Sequence, residues 1–256
     1  MGSLANGAKI YFAIKTPWFT INITQTVITI LVSTILLITL AAIIGRNLKK
    51  RPGRFQVVVE KLVSMLYGLV ESTMGAHNLK FAPYIGTLFL SSIFCTLLGM
   101  TQILRSATAD ISVTLAWALV TTGMVWYSSI KNFGFKAWLK GFTEPIAVMT
   151  PMNIVSEIAQ PISLAFRHFG NVAGGGVLTG LIYMSLAGLS SLLLGWIPGL
   201  IGQIPFLQVG LPAFLSIYFD LFSGFVQALV FSLLTMVYVG AANPPPEEPE
   251  AAKEEN

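Results

Sequence analysis

Pro161-Ile162-Ser163-Leu164-Ala165-Phe166-Arg167-His168-Phe169-Gly170-Asn171 sets one permanent charge inside a long apolar helical run. No Asp, Glu, Lys or Arg follows Arg167 until Asp220. Arginine cannot shed its charge by deprotonation in a protein. Holding it at mid-bilayer costs at least ~2.5–3.5 kcal/mol, so an intramembrane charge marks a functional site by default. The bland alternative is a structural salt bridge between Arg167 and Asp220, gluing two helices.

The helix carrying this stretch starts at Thr150-Pro151, an N-cap followed by proline at the first helical position. Its spacing runs to about residue 187, which at ~1.5 Å per residue is roughly 55–60 Å. The hydrocarbon core is only ~30 Å thick, so the helix must tilt steeply or break. The breaker-rich stretch from Gly195-Trp196-Ile197-Pro198-Gly199 to Pro205 reads as an outer loop or re-entrant segment. A last helix over 211–240 is again too long for an upright span. The acidic, proline-rich tail over 243–256 reads as disordered.

On the N-terminal side, residues 16–45 carry no charge and form the first span. Residues 55–75 show helical apolar spacing with Glu60, Lys61 and Glu71 interspersed, and read as an amphipathic helix along the inner surface. Residues 81–104 and 111–130 form a hairpin of two more spans. Basic residues gather at Arg46, Lys49, Lys50, Arg51 and Arg54, and again at Lys131, Lys136 and Lys140. Only Lys9, Lys15 and Arg105 fall on the opposite side, which puts the N-terminus outside and the C-terminus in the cytoplasm. The reading is an all-α integral membrane protein. Five membrane-crossing helices and one amphipathic interfacial helix form a single membrane domain, and the last two helices are long and steeply tilted.

Composition agrees. Hydrophobic residues make up 54%, charged residues 10%, and the mean hydropathy is +0.75; soluble domains carry about 25% charge. The net charge of +4 comes from basic ends of apolar runs and does not point to nucleic acid. Cys95, the one cysteine, excludes an internal disulfide and reads as inert packing. No cleavable signal peptide is expected, and Asn6 stands where a myristoylation signal needs Ser or Thr. An enzyme is disfavoured: the two histidines sit in different segments, with no Gly-x-Ser-x-Gly elbow and no metal-ligand cluster, so no cofactor is expected.

Residues seven apart on a helix differ by about 20° in direction. Gln160, Ser163, Arg167, Asn171 and Gly174 therefore share one stripe, and Ser216, Asp220, Ser223 and Gln227 share another on the last helix. These stripes should face each other or water. Two readings of Glu157 stand: it lines an inner aqueous cleft, or it complements the dipole near the helix start. His168 points about 100° away from Arg167 and reads as packed or lipid-edge rather than as a relay.

These residues resemble subunit a of the F-type ATP synthase. The resemblance rests on Pro161-Ile162-Ser163-Leu164 through Arg167, Phe169-Gly170-Asn171 and Ala173-Gly174, on Thr108-Ala109-Asp110-Ile111-Ser112-Val113-Thr114-Leu115, and on Gln227-Ala228 through Val237-Tyr238. It covers nearly the whole chain. It implies a non-catalytic bacterial inner-membrane stator whose two aqueous half-channels carry protons or sodium ions to a rotating c-ring, with the b subunits of the peripheral stalk as further partners. It places the essential arginine at Arg167 and its partner glutamine at Gln227. The candidate ion-translocation set is then Arg167, Gln227, Asp220, Asn171, Glu157, Asp110, Ser163 and Gln160. The sequence departs from the family twice. The acidic residue many members carry after the Ala-Gly pair is missing from Gly174-Gly175-Gly176, and His168 is commonly apolar. Asp220, at a similar depth on the antiparallel helix, is the expected replacement for the missing carboxylate. A stand-alone transporter or channel whose Arg167 binds an anionic substrate is the competing reading; it would work without a ring.

Overall fold

The computed structural model describes residues 10–15, 20–101, 103–144, 146–194 and 217–246. The chain starts with a β-hairpin, β1 (Ile10–Lys15) against β2 (Thr20–Thr24), paired antiparallel with a register shift between Ile10 and Phe12. The uncharged run from residue 16 was expected to be helical throughout, but α1 begins only at Gln25 (Gln25–Arg46). Thr20, Ile21, Ile23 and Thr24 are β-branched and favour extended backbone. Freedom from charge marks the apolar run without distinguishing strand from helix.

Six more α-helices follow among the described residues: α2 (Arg54–Met74), α3 (Ala82–Met100), α4 (Ile111–Phe133), the short α5 (Phe135–Gly141), α6 (Thr150–Leu194) and α7 (Ser223–Ala241). Among the described residues, five helical stretches are long and apolar enough to cross a membrane: Gln25–Arg46, Ala76–Met100, Ile111–Phe133, Ala147–Leu193 and Ser223–Ala241. The protein is thus an all-α, multi-pass membrane protein with a small N-terminal hairpin.

Helix α6 has 45 residues, about 67 Å at 1.5 Å per residue. It runs through Gly174-Gly175-Gly176 without a break and past residue 187 to Leu194. In lipid, backbone groups have no water to bond, so even a glycine run stays helical. Pro161 lies inside α6 and lacks the N–H that would bond the Glu157 carbonyl. Upstream of α7, Ile217–Phe222 winds as a π-helical turn. The rest of the expected final helix, 211–216, lies outside the described residues, as do the stretch around Gly195–Pro205 and most of the acidic tail.

The chain packs as two units. One combines Met1–Arg46, Phe89–Ala118 and Ile162–Phe231; the other combines Asn47–Leu88, Leu119–Pro161 and Ser232–Asn256. In the first unit α1 is built inside out. Its buried residues are Thr26, Thr29 and Ser33, while Leu31, Ile35, Ile38 and Ile43 are exposed. The buried face is polar because it is bonded: Thr26 Oγ1 donates to Asp110 Oδ2 (2.9 Å), Thr29 Oγ1 to the Arg105 carbonyl (3.0 Å) and Cys95 Sγ to Ser33 Oγ (3.7 Å). Small hydroxyl residues let helices approach in lipid, where burial of apolar surface supplies little drive. Gly224 belongs to the same packing: a Cβ there would lie 2.5 Å from Thr96 Cγ2.

The second unit has a core of Val70, Met74, Ala82, Ile85, Met236 and Val239. Three asparagines tie its helix ends. Asn78 Nδ2 donates to the carbonyls of Met74 and Asn243 (both 2.9 Å), Asn132 Nδ2 to that of Ala242 (2.8 Å), and Asn243 Nδ2 to that of Val239 (2.8 Å). Terminal carbonyls that an α-helix leaves unpaired are thereby satisfied. Gly134, at φ 85°, makes the turn between α4 and α5.

Candidate functional site

Helix α6 has two faces in the first unit. Leu164, Ala165 and His168 are buried, at spacings of one and four residues that keep them on one side. Ser163, Arg167 and Asn171 are exposed, and Gly174 is half-buried. The polar stripe read from the seven-residue spacing therefore lies along the outer surface of this chain. Among the described residues the Arg167 side chain makes no ion pair and no hydrogen bond.

The two polar stripes were expected to face each other or water. They meet at one point, where Asn171 Nδ2 donates to Gln227 Oε1. Gln227 is 3% exposed, and its Nε2 is buried without a partner among the described residues. Ser223 is half-buried one turn before it. The backbone of Asp220 lies in the π turn, and its side chain and all of Ser216 lie outside the described residues. A π turn advances each residue by less than the 100° of an α-helix, so the seven-residue spacing from Asp220 to Gln227 does not keep the two in line.

His168 is drawn fully inside, 1% exposed, with its Nε2 3.1 Å from Ser92 Oγ on α3. Its ring stands edge-on to Trp117 of α4 (centroids 6.1 Å, 88°) and to Phe231 of α7 (5.4 Å, 84°). Packing was one of the sequence-level readings of His168; Ser92 and Trp117 were not foreseen, because nothing local in a sequence links a histidine to residues on two other helices.

Asp110 is spent on structure. Its Oδ2 takes the Thr26 hydroxyl and its Oδ1 accepts the Ser112 N–H (3.0 Å), capping the first turn of α4.

Glu157 and Gln160 belong to the second unit, where Gln160 is half-buried. Glu157 accepts a hydrogen bond from Trp126 Nε1 and lines a cavity of about 420 Å³ together with Ser129, Trp138, Glu144, Asn153 and Ser156. Asn153 Nδ2 donates to the carbonyls of Phe142 (2.9 Å) and Glu144 (3.0 Å), and Lys140 Nζ lies 3.7 Å from Glu144. Polar walls and two carboxylates suit water and cations. Glu157 lies past the first turn of α6, beyond the reach of the helix dipole. Asn153, Ser156 and Glu157 fall at helical spacing, a signal that marks one wall of the cavity in the sequence alone.

Arg167 thus stands exposed on α6, one turn from an amide pair that joins α6 to α7. The family described as ATP synthase A chain matches residues 26–240. The chain is 33% identical over 210 residues to the sodium ion specific ATP synthase subunit a of Propionigenium modestum, covering 76% of this chain and 65% of that relative. It is 32% identical over 244 residues to ATP synthase subunit a of Bacillus subtilis (strain 168), covering 90% of this chain and 95% of the relative. A subunit a of Crocosphaera subtropica is 31% identical over 226 residues, covering 88% and 89%. With the match spanning all five apolar helices and the Arg167 stripe alike, the chain belongs to the ATP synthase subunit a family.

Proposed function

We propose that this chain is the ion-conducting, non-catalytic stator of the Fo sector of a rotary ATP synthase, working against a ring of c subunits. The observation that carries the reading is Arg167: a guanidinium with no ion-pair partner among the described residues, on the exposed face of α6, one turn from the Asn171–Gln227 pair. Such a charge needs a counter-ion brought by another subunit, since arginine cannot neutralise itself and is hydrated less tightly than lysine. A carboxylate on a passing c subunit supplies it. The guanidinium favours the ionised form of that carboxylate, so the bound ion is released as it arrives. The same positive charge blocks a direct leak between two aqueous half-channels.

In this reading the cavity beside Glu157 belongs to the cytoplasmic half-channel, with Gln160 and Ser163 leading from it along α6. Asp220 supplies the carboxylate of the outer half-channel that Gly176 lacks. The basic segment 46–54 docks the b subunits of the peripheral stalk or lipid headgroups, and the N-terminus faces outward. Protons are the expected coupling ion; the sodium specificity in the name of the Propionigenium relative makes sodium dependence the first control.

The deciding experiment is ATP-driven ion pumping in vesicles holding the reconstituted complex, with ATP hydrolysis recorded alongside. Arg167→Ala should abolish pumping in an assembled complex; unchanged coupled pumping would end the proposal. In the same vesicles Asp220→Asn should lower pumping severely, and normal pumping would remove Asp220 from the path.

A further inference from the structure

The Arg167 reading leaves the buried imidazole of His168 on α6 unused. His168, the neighbour of Arg167, touches three other helices of its unit: α3 through Ser92, α4 through Trp117 and α7 through Phe231. Trp117 and Phe231 also meet each other edge-on (6.3 Å, 69°), so the imidazole is the third ring of an aromatic triangle. Leu164 and Ala165 continue the same buried face. Apolar contacts hold that face inward, but they are non-directional and tolerate rotation of a helix about its axis. The His168–Ser92 bond is directional. It joins a short side chain on α3, buried at 0% exposure, to a rigid ring on α6.

We propose that His168 is a positioning residue for Arg167: through Ser92 it fixes the rotation of α6, and with it the direction in which the neighbouring guanidinium points. Consecutive residues on a helix are about 100° apart, so burying His168 sends Arg167 to the flank. The side-chain shell lies about 5–6 Å from the helix axis, so a 20° rotation moves a charge there by about 2 Å. A displacement of ~1 Å in a reacting arrangement can cost about 100-fold. A leucine at 168 would fill the triangle with apolar surface and leave the rotation to packing alone. A glutamine keeps a polar nitrogen near the place of imidazole Nε2 and can still reach Ser92.

The proposal rests on Arg167 lying in the ion path, and the test separates the two. Complexes carrying His168→Leu, His168→Gln, Ser92→Ala, the Ser92→Ala/His168→Leu pair and Arg167→Ala are reconstituted into vesicles. Subunit stoichiometry, ATP hydrolysis and ions pumped per ATP are measured for each. A packing role alone would alter assembly and leave the ratio unchanged in complexes that do assemble. Positioning predicts that Ser92→Ala and His168→Leu assemble and lose about threefold or more of the ratio. The pair should be no worse than either single change, and His168→Gln should recover most of the loss. Ser92→Ala removes only a hydroxyl and decides the matter if His168→Leu fails to assemble. Wild-type ratios in assembled Ser92→Ala and His168→Leu complexes, with Arg167→Ala inactive, would overturn the positioning role alone. Normal pumping by Arg167→Ala would overturn the reading beneath it.

Discussion

At the scale of single residues, the amide pair is the most exacting contact on α6. Gln227 is almost wholly buried, its Oε1 served by Asn171 and its Nε2 without a partner among the described residues. A buried polar group stripped of its partner costs about 1–3 kcal/mol, and interhelical bonds in lipid average about 0.6 kcal/mol. Asn171→Ala should therefore lower stability by about 1 kcal/mol. Adding Gln227→Leu should recover part of that loss, because it removes the orphaned amide along with its partner. Thermal unfolding of the detergent-solubilised single and double variants measures the coupling. Strictly additive losses would mean that the two side chains do not interact. Arg167 and Gln227 were both legible in the sequence, one as a lone charge in an apolar run and the other through family resemblance. The pairing of Gln227 with Asn171 followed only in general form from their stripes. Asp220 shows where helical arithmetic stops: a spacing of seven presumes an α-helix, and a π turn intervenes.

At the scale of elements, α1 shows how a helix docks where burial of apolar surface earns little. Its face toward the protein is Thr26, Thr29 and Ser33, and its exposed face is isoleucine and leucine. Thr26→Val keeps the shape and removes the donor to Asp110 Oδ2, so it should destabilise the protein by about 1 kcal/mol. Thr39 is the built-in control. It is exposed and, among the described residues, bonds only the Ile35 carbonyl of its own helix, so Thr39→Val should be neutral within about 0.5 kcal/mol. Equal losses at the two positions, read as shifts in unfolding temperature, would refute docking through the polar face. The five apolar helices were legible because hydrocarbon imposes length and apolarity on any spanning segment. The N-terminal hairpin was not, since its second strand is as free of charge as the helix it leads into. The unbroken course of α6 through three glycines was also hidden: glycine breaks helices in water, where the backbone has another partner, and not in lipid, where it has none.

At the scale of the whole molecule, an odd number of crossings must place the two ends of the chain on opposite sides of the membrane. The basic clusters at 46–54 and 131–140 predict the side by the positive-inside rule: N-terminus out, C-terminus in. The prediction can be checked without any functional assay. Cys95 is buried, so new surface thiols dominate labelling by a membrane-impermeant reagent. Tyr11 on β1 and Ala241 at the end of α7 are both exposed. Tyr11→Cys should react in right-side-out vesicles and be protected in inverted ones, and Ala241→Cys should show the reverse. Labelling of both from one side would require an even number of crossings, so one of the five apolar helices would lie along the membrane instead of through it. Opposite sides with the reverse polarity would keep the five crossings and invert the chain. The cavity beside Glu157 would then open toward the outer solution and could not serve the cytoplasmic half-channel, even with Arg167 still in the ion path. The thiol experiment thus tests the direction of the proposed path independently of the residue at its centre.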